Sequence, residues 1–186
     1  MIVIGITGTI GAGKGTVAAY LTDKYGFKSY SVRDFLIEEI KQRGLPVNRD
    51  SMTEIANDLR ATHGPGYIVN ELYKRAQQNS TNAIIESVRT TGEVDTLEKN
   101  PGFHLLAVDA NPEMRYERIT TRHSSTDNVS FQQFIDDEKR ELESTDPGKQ
   151  NLLGCIKRAN FVIANNGSLN ELHAQVDDMI TNIINL

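Results

Sequence analysis

Five short apolar runs punctuate the chain: Ile2–Thr7, Lys28–Val32, Ala83–Ser87, His104–Asp109 and Phe161–Ala164. They are continuous or nearly so, the pattern of strands covered on both faces. Between them the apolar positions recur at helical spacing. The first run feeds a helix of about Lys14–Lys24, closed by Gly26. Ser31 with Asp34 three residues on opens a second helix, which runs to Arg43 and stops at Gly44-Leu45-Pro46. Ser51 with Glu54 repeats that spacing and predicts a helix to Thr62; His63-Gly64-Pro65-Gly66 breaks it, and another follows to Gln78. Thr90–Glu98 reads as a short helix, and Asn111-Pro112 starts one through Arg122. Ser168 with Glu171 caps the last, whose Leu169, Leu172, Val176, Ile180 and Ile183 share one face. Strands alternating with helices predict an α/β domain built on a five-stranded parallel sheet. Ligands in such sheets bind beyond the C-terminal strand ends, so the residues following each run are the ones to read for chemistry.

After the first run comes Gly8-Thr9-Ile10-Gly11-Ala12-Gly13-Lys14, the phosphate loop G-x-x-x-x-G-K in its required strand–loop–helix context. Its glycines let successive N–H groups turn inward around an anion. The helix that follows adds unpaired donors and the positive end of its dipole. Lys14 supplies a full charge to the outer phosphates. The predicted nucleotide contacts are Gly11, Ala12, Gly13, Lys14, Gly15 and Thr16. The usual hydroxyl ligand to magnesium is missing at Gly15. The metal is therefore expected on the phosphates, on water and on Glu86 acting through water, with Thr16 as a further candidate.

Composition narrows this. The chain has 186 residues, 38% apolar and 24% charged, as expected of one folded globule. A net charge of −5 excludes a general nucleic-acid surface, so phosphate binding must be local. One cysteine, Cys155, excludes an internal disulfide framework and a multi-cysteine zinc site; its apolar helical setting reads as buried filler. The four histidines are scattered without metal-ligand spacing. No leader or membrane span is read, so the expected location is cytoplasmic, as monomer or homodimer with no membrane partner. The stretch His123 to Gln150 is polar and reads as a lid-like excursion over the crevice within a single domain spanning 1–186.

Phosphoryl transfer is catalysed by positioning and by positive charge on the transferred oxygens. Arginines near the strand ends are therefore the next candidates. Arg115, Arg118 and Arg122 form one helical stripe between the fourth strand and the polar excursion. Arg33 and Arg89 follow the second and third strands, and Arg60 ends a helix before His63-Gly64-Pro65-Gly66. Asp34 is either a helix-capping residue or a group that orients or deprotonates an acceptor.

The phosphate loop with its Gly15-Thr16 resembles that of adenylate kinase and other nucleoside monophosphate kinases. Ser31-Val32-Arg33-Asp34, Glu86-Ser87-Val88-Arg89 and the pair Arg118 and Arg122 resemble, in order, their segments after strands two and three and their lid entrance. Ala159 to Ser168 resembles the C-terminal segment of dephospho-coenzyme A kinases, and the whole chain resembles a group of kinases related to both. The resemblance implies a P-loop α/β sandwich of strand order 2-3-1-4-5 with a short helical lid. It implies ATP and magnesium as cofactors and a small phosphorylated acceptor, a nucleoside monophosphate or similar. Lys14, Arg118, Arg122 and Asp34 are then catalytic; Arg33, Asp34, Arg60 and Arg89 bind the acceptor; Asn165 and Gly167 border the adenine. The chain departs from the family at Arg33 (a glycine there), at Ile37 (an arginine) and at Glu86 (an aspartate). Two alternatives stay open: dephospho-coenzyme A kinase, with Asp34 as base toward a hydroxyl, and a nucleotide-dependent switch or ATPase with a protein partner.

Overall fold

The computed structural model describes residues 1–121 and 130–185. Strand β1 (Val3–Thr7) is buried along its whole length, and its side chains divide between two cores. It therefore sits at the centre of the sheet, flanked by β3 (Ala83–Glu86) and β4 (Phe103–Asp109), with β2 (Lys28–Ser31) and β5 (Phe161–Ala164) outside. The order β2-β3-β1-β4-β5 and all four parallel pairings match the expected P-loop architecture.

One face of the sheet, with Ile4, Ile6, Leu106 and Val108, packs on α1 (Lys14–Tyr25) and α9 (Leu169–Ile184). The other face, with Val3, Ile85 and Leu105, is covered by five helices: α2 (Val32–Gln42), α3 (Arg49–His63), α4 (Tyr67–Asn79), α5 (Thr91–Leu97) and α8 (Leu152–Arg158). Cys155 is fully buried on this face, as its setting predicts, and burial pushes its thiol up to about 12.

One local expectation changes. Helix α3 is capped by Asn48, not Ser51: the Asn48 side chain accepts from the Ser51 amide while Ser51 Oγ receives the Asn48 N–H. Ser51 thus fills the third helical position of the box, a place that a hydroxyl can take as well as a glutamate. The polar stretch between strands four and five contains a helix, as the resemblance implies: α7 (Phe131–Leu142), which docks on α6 (Pro112–Thr121). Phe134 is buried and forms an aromatic group with Tyr116 and Phe131. Phe131 and Phe134, at i and i+3, put an aromatic edge on a helix that is otherwise mostly polar. Arg122 and His123 lie outside the described residues, as do 124–129.

Candidate nucleotide and acceptor site

Parallel pairing brings every C-terminal strand end to one edge, and the phosphate loop lies in its middle. Gly8 has φ +131 and its absent Cβ would collide with the Val108 carbonyl of β4. Gly13, at φ +102, caps α1 without any side-chain hydrogen bond, and its absent Cβ would strike the Asn165 amide. Only glycine fits either place. The first turn of α1 carries no acidic residue, Gly15 faces open space and Thr16 is exposed. A helix start with uncapped, unneutralised N–H groups opening to solvent is an anion site in its own right. Lys14 Nζ donates to the Gly8 and Thr9 carbonyls, each at 2.7 Å, which holds its charge over the loop.

The loop is braced from both sides. Thr9 Oγ1 donates to Asp109 Oδ1 at 2.6 Å. Asn165, buried after β5, donates from Nδ2 to the Ala12 carbonyl at 2.8 Å. Arg118 donates from Nη2 to the Asn165 carbonyl at 2.9 Å, while its Nη1 is buried with no hydrogen-bond partner among the described residues. Arg118 thus stands on the loop that the resemblance places against adenine. Gly167 lies two residues on, packed under Glu171.

The arginine stripe divides. Arg115 is 3% exposed and turns inward. Its Nε donates to the Ala110 carbonyl at 2.7 Å, Nη1 reaches the Ile10 carbonyl at 3.4 Å, and the guanidinium forms a two-pronged ion pair with Glu138 of α7. Its Cζ also lies 5.4 Å from the Phe134 ring centre. Arg115 therefore ties the phosphate loop to α7; Arg118 is the member of the stripe at the crevice, and Arg122 lies outside the described residues.

Beyond β2, Arg33 and Asp34 are exposed at the start of α2, where the Asp34 amide donates to Ser31 Oγ at 3.2 Å. Neither side chain has a partner among the described residues. Glu86 ends β3 in register with Ile6 and Ser31, and the Ser29 hydroxyl donates to it. Ser87 follows with φ +66, a left-handed backbone that costs a non-glycine residue about 1 kcal/mol or more. Arg89 presents its amide to Glu93 Oε2 and its carbonyl to the Asn151 amide. Arg60 reaches the same carboxylate: Nη2 lies 2.9 Å from Glu93 Oε1, with side-chain exposures of 11% and 0%. Arg60 is thus paired inside the wall of the crevice, with Nε buried and without a partner among the described residues. The residues around the return from α7 close that wall, the Gly92 amide donating to the Pro147 carbonyl.

Among the described residues no three His, Cys, Asp or Glu side chains converge as metal ligands. That suits a magnesium ion carried mainly by nucleotide phosphates, which Glu86 at the end of β3 would reach through water and for which Thr16, exposed on α1, would be a further candidate. No described helix is long and apolar enough to cross a membrane.

Sequence reasoning did not single out Asp109, Glu93, Glu138 or Ser87. Glu93 had a signal: Thr90-x-x-Glu93 is a capping box, and the structure forms it. Asp109 ends a strand beside the loop, a position the strand-end rule reaches.

The sheet order, the glycine loop and the open start of α1 define a nucleotide-binding P-loop protein with a kinase-like fold. A family model described as an AAA domain matches residues 7–133. The UPF0200 protein of Pyrobaculum aerophilum is 30% identical over 180 residues, 96% of each chain. The chain belongs to this AAA-domain family and to the UPF0200 proteins. Among solved structures, TT1252 from Thermus thermophilus covers 97% of both chains at 21% identity with a TM-score of 0.66. Shikimate kinase from Acinetobacter baumannii, in complex with shikimate, covers 100% of this chain and 94% of its own at 15% identity and a TM-score of 0.59. Both establish likeness of fold.

Proposed function

We propose that this protein is an ATP-dependent kinase that transfers the γ-phosphoryl group to a nucleoside monophosphate or a similar small phosphorylated acceptor. The observation that carries this reading is that the open α1 terminus and the exposed, unpartnered Arg33 and Asp34 stand at the same C-terminal edge of the sheet. The loop amides and Lys14 bind the donor phosphates. Arg33 and Arg89 attract the acceptor's phosphate, and Arg60 braces Arg89 through Glu93. Asp34 orients the acceptor. Arg118 and Asn165 frame the base, and Arg118, with Arg122 at the lid entrance, adds charge as water is excluded. Magnesium, when bound with the nucleotide, supplies charge neutralisation on the β and γ groups.

A second reading, a hydroxyl acceptor as in dephospho-coenzyme A kinase, is favoured by one observation. Asp34 carries a free, exposed carboxylate, and a hydroxyl nucleophile benefits from a base where a phosphate does not. ATP turnover with magnesium over a panel of nucleoside 5′-monophosphates and dephospho-coenzyme A tests both. If none raises turnover above the basal rate, the kinase reading fails and a switch or ATPase takes its place. With an active acceptor in hand, Asp34→Asn separates the two: near-complete loss of turnover with intact ATP binding favours the hydroxyl.

A further inference from the structure

Two non-glycine residues among those described hold a left-handed backbone, Ser80 and Ser87. Ser80 has a local reason: it caps the C-terminus of α4, its amide bonding the Gln77 carbonyl at 3.0 Å and its hydroxyl the same atom at 3.4 Å. Ser87 has none. It caps no helix, and its hydroxyl makes no hydrogen bond among the described residues. The fold nevertheless pins it on both sides. Glu86 is locked in register with β1 and β2, and the Val88 amide donates to the Ile6 carbonyl at 3.0 Å, with the Val88 side chain fully buried. Strain that the surroundings impose persists where it does something. Glycine would adopt this backbone without cost.

The register shows where Ser87 stands. Glu86 pairs with Ile6 on β1 and Ser31 on β2, so Ser87 lies one step beyond the last paired rung of three adjacent strands. On one side β1 runs into the phosphate loop at Gly8. On the other, β2 runs into α2 with Arg33 and Asp34. Ser87 is therefore the polar residue interposed between the donor loop and the acceptor-facing start of α2, half-buried and one residue from Glu86.

The geometry points to Ser87 as an acceptor-binding residue, its hydroxyl donating a hydrogen bond to an oxygen of the group that receives the phosphoryl. This rests on the kinase reading above. The αL backbone is the means by which a side chain, rather than a bare glycine, is presented at the junction. The same donor serves a phosphate oxygen or a hydroxyl oxygen, and the acceptor panel decides which of the two is present.

The test compares Ser87→Ala, which keeps the strain and removes the hydroxyl, with Ser87→Gly, which removes both. The acceptor is the most active member of the monophosphate and dephospho-coenzyme A panel. Loss of one hydrogen bond to the acceptor raises its KM about tenfold in both variants, with the KM for ATP within about twofold of wild type. Ser87→Gly also raises the Tm, showing that the backbone strain was real and that the lost binding is not a folding defect. Unchanged acceptor KM in both variants, or a defect in Ser87→Ala that Ser87→Gly repairs, overturns the assignment while the kinase reading stands. A wild-type protein with no acceptor-stimulated turnover overturns both.

Discussion

Replacing Glu93 with glutamine removes one charge from the interior and leaves the shape nearly unchanged. Glu93 is fully buried and accepts three hydrogen bonds: Arg60 Nη2 at 2.9 Å, the Arg89 amide at 2.9 Å and the Thr90 amide at 3.2 Å. Glutamine can keep one oxygen as acceptor, but its amide would point two protons at groups that are themselves donors. Arg60, 11% exposed, would be left as a nearly buried cation without its counter-charge. Removing one partner of such a pair costs about 3–5 kcal/mol. For a chain of this size each kcal/mol lowers the Tm by about 2–4 °C, so Glu93→Gln should lose at least 6 °C or so. Urea unfolding of Glu93→Gln, Arg60→Met and the double variant completes the cycle. Because the double variant buries neither an unpaired cation nor an unpaired anion, it should recover 1 kcal/mol or more relative to the sum of the singles, roughly the scale of coupling between contacting groups. Additivity within about 0.5 kcal/mol would show that the two side chains do not act as a buried pair and refute the reasoning. Acceptor KM of the double variant adds a functional reading: a shift confined to acceptor binding marks Arg60 and Glu93 as the brace of Arg89.

Three further outcomes follow from the loop and the core. Asn165→Ala removes the donor to the Ala12 carbonyl and should weaken ATP binding about tenfold, measured by titration calorimetry, with little change in Tm; unchanged affinity would mean that the loop keeps its shape unaided. Arg115→Ala strips α7 of its ion pair, so amide exchange in Phe131–Leu142 should accelerate by at least about tenfold, and by more than in β1; protection across α7 unchanged from wild type would show that the aromatic group alone anchors it. Burial raises the Cys155 thiol to about 12, above its unfolded value near 9, so its stabilising contribution is intact below pH 9 and is lost as pH rises. The loss runs at roughly 1 kcal/mol per pH unit between those values. Cys155→Ala should flatten the alkaline limb of the stability profile, and an identical slope in both proteins would rule the thiol out.

The fold was legible because the runs that build it obey local rules. Strand β1 reads as buried on both faces, its glycine loop has a fixed spacing, and Ser168 with Glu171 forms the box its spacing predicts. Fine detail was lost where two local solutions compete. At α3 both Asn48 and Ser51 are good caps, and three residues of helix hang on which is used. The site was legible as a set of strand ends but not as a set of partners. Arg115 and Arg118 share a stripe in sequence, yet one points into the body and one to the crevice, because Glu138 approaches from another helix. Arg60 likewise reads as a free cation until Glu93, on a different helix, is seen beneath it. Ion pairs between distant segments leave no periodic trace.

The bond from Asn165 to Ala12 spans 153 residues. During synthesis the phosphate loop is among the first segments made, and the side chain that steadies it is among the last. Closing so long a span costs chain entropy, and β5 reaches the loop only through β4, its one neighbour in the sheet, so the contact is expected to wait on the strands between. A nascent chain therefore carries an exposed anion-binding sequence well before it carries a rigid one. Competence to grip a nucleotide should appear late and abruptly in folding, and nucleotide added during refolding should act on the final docking of β5 and α9 rather than on the early collapse.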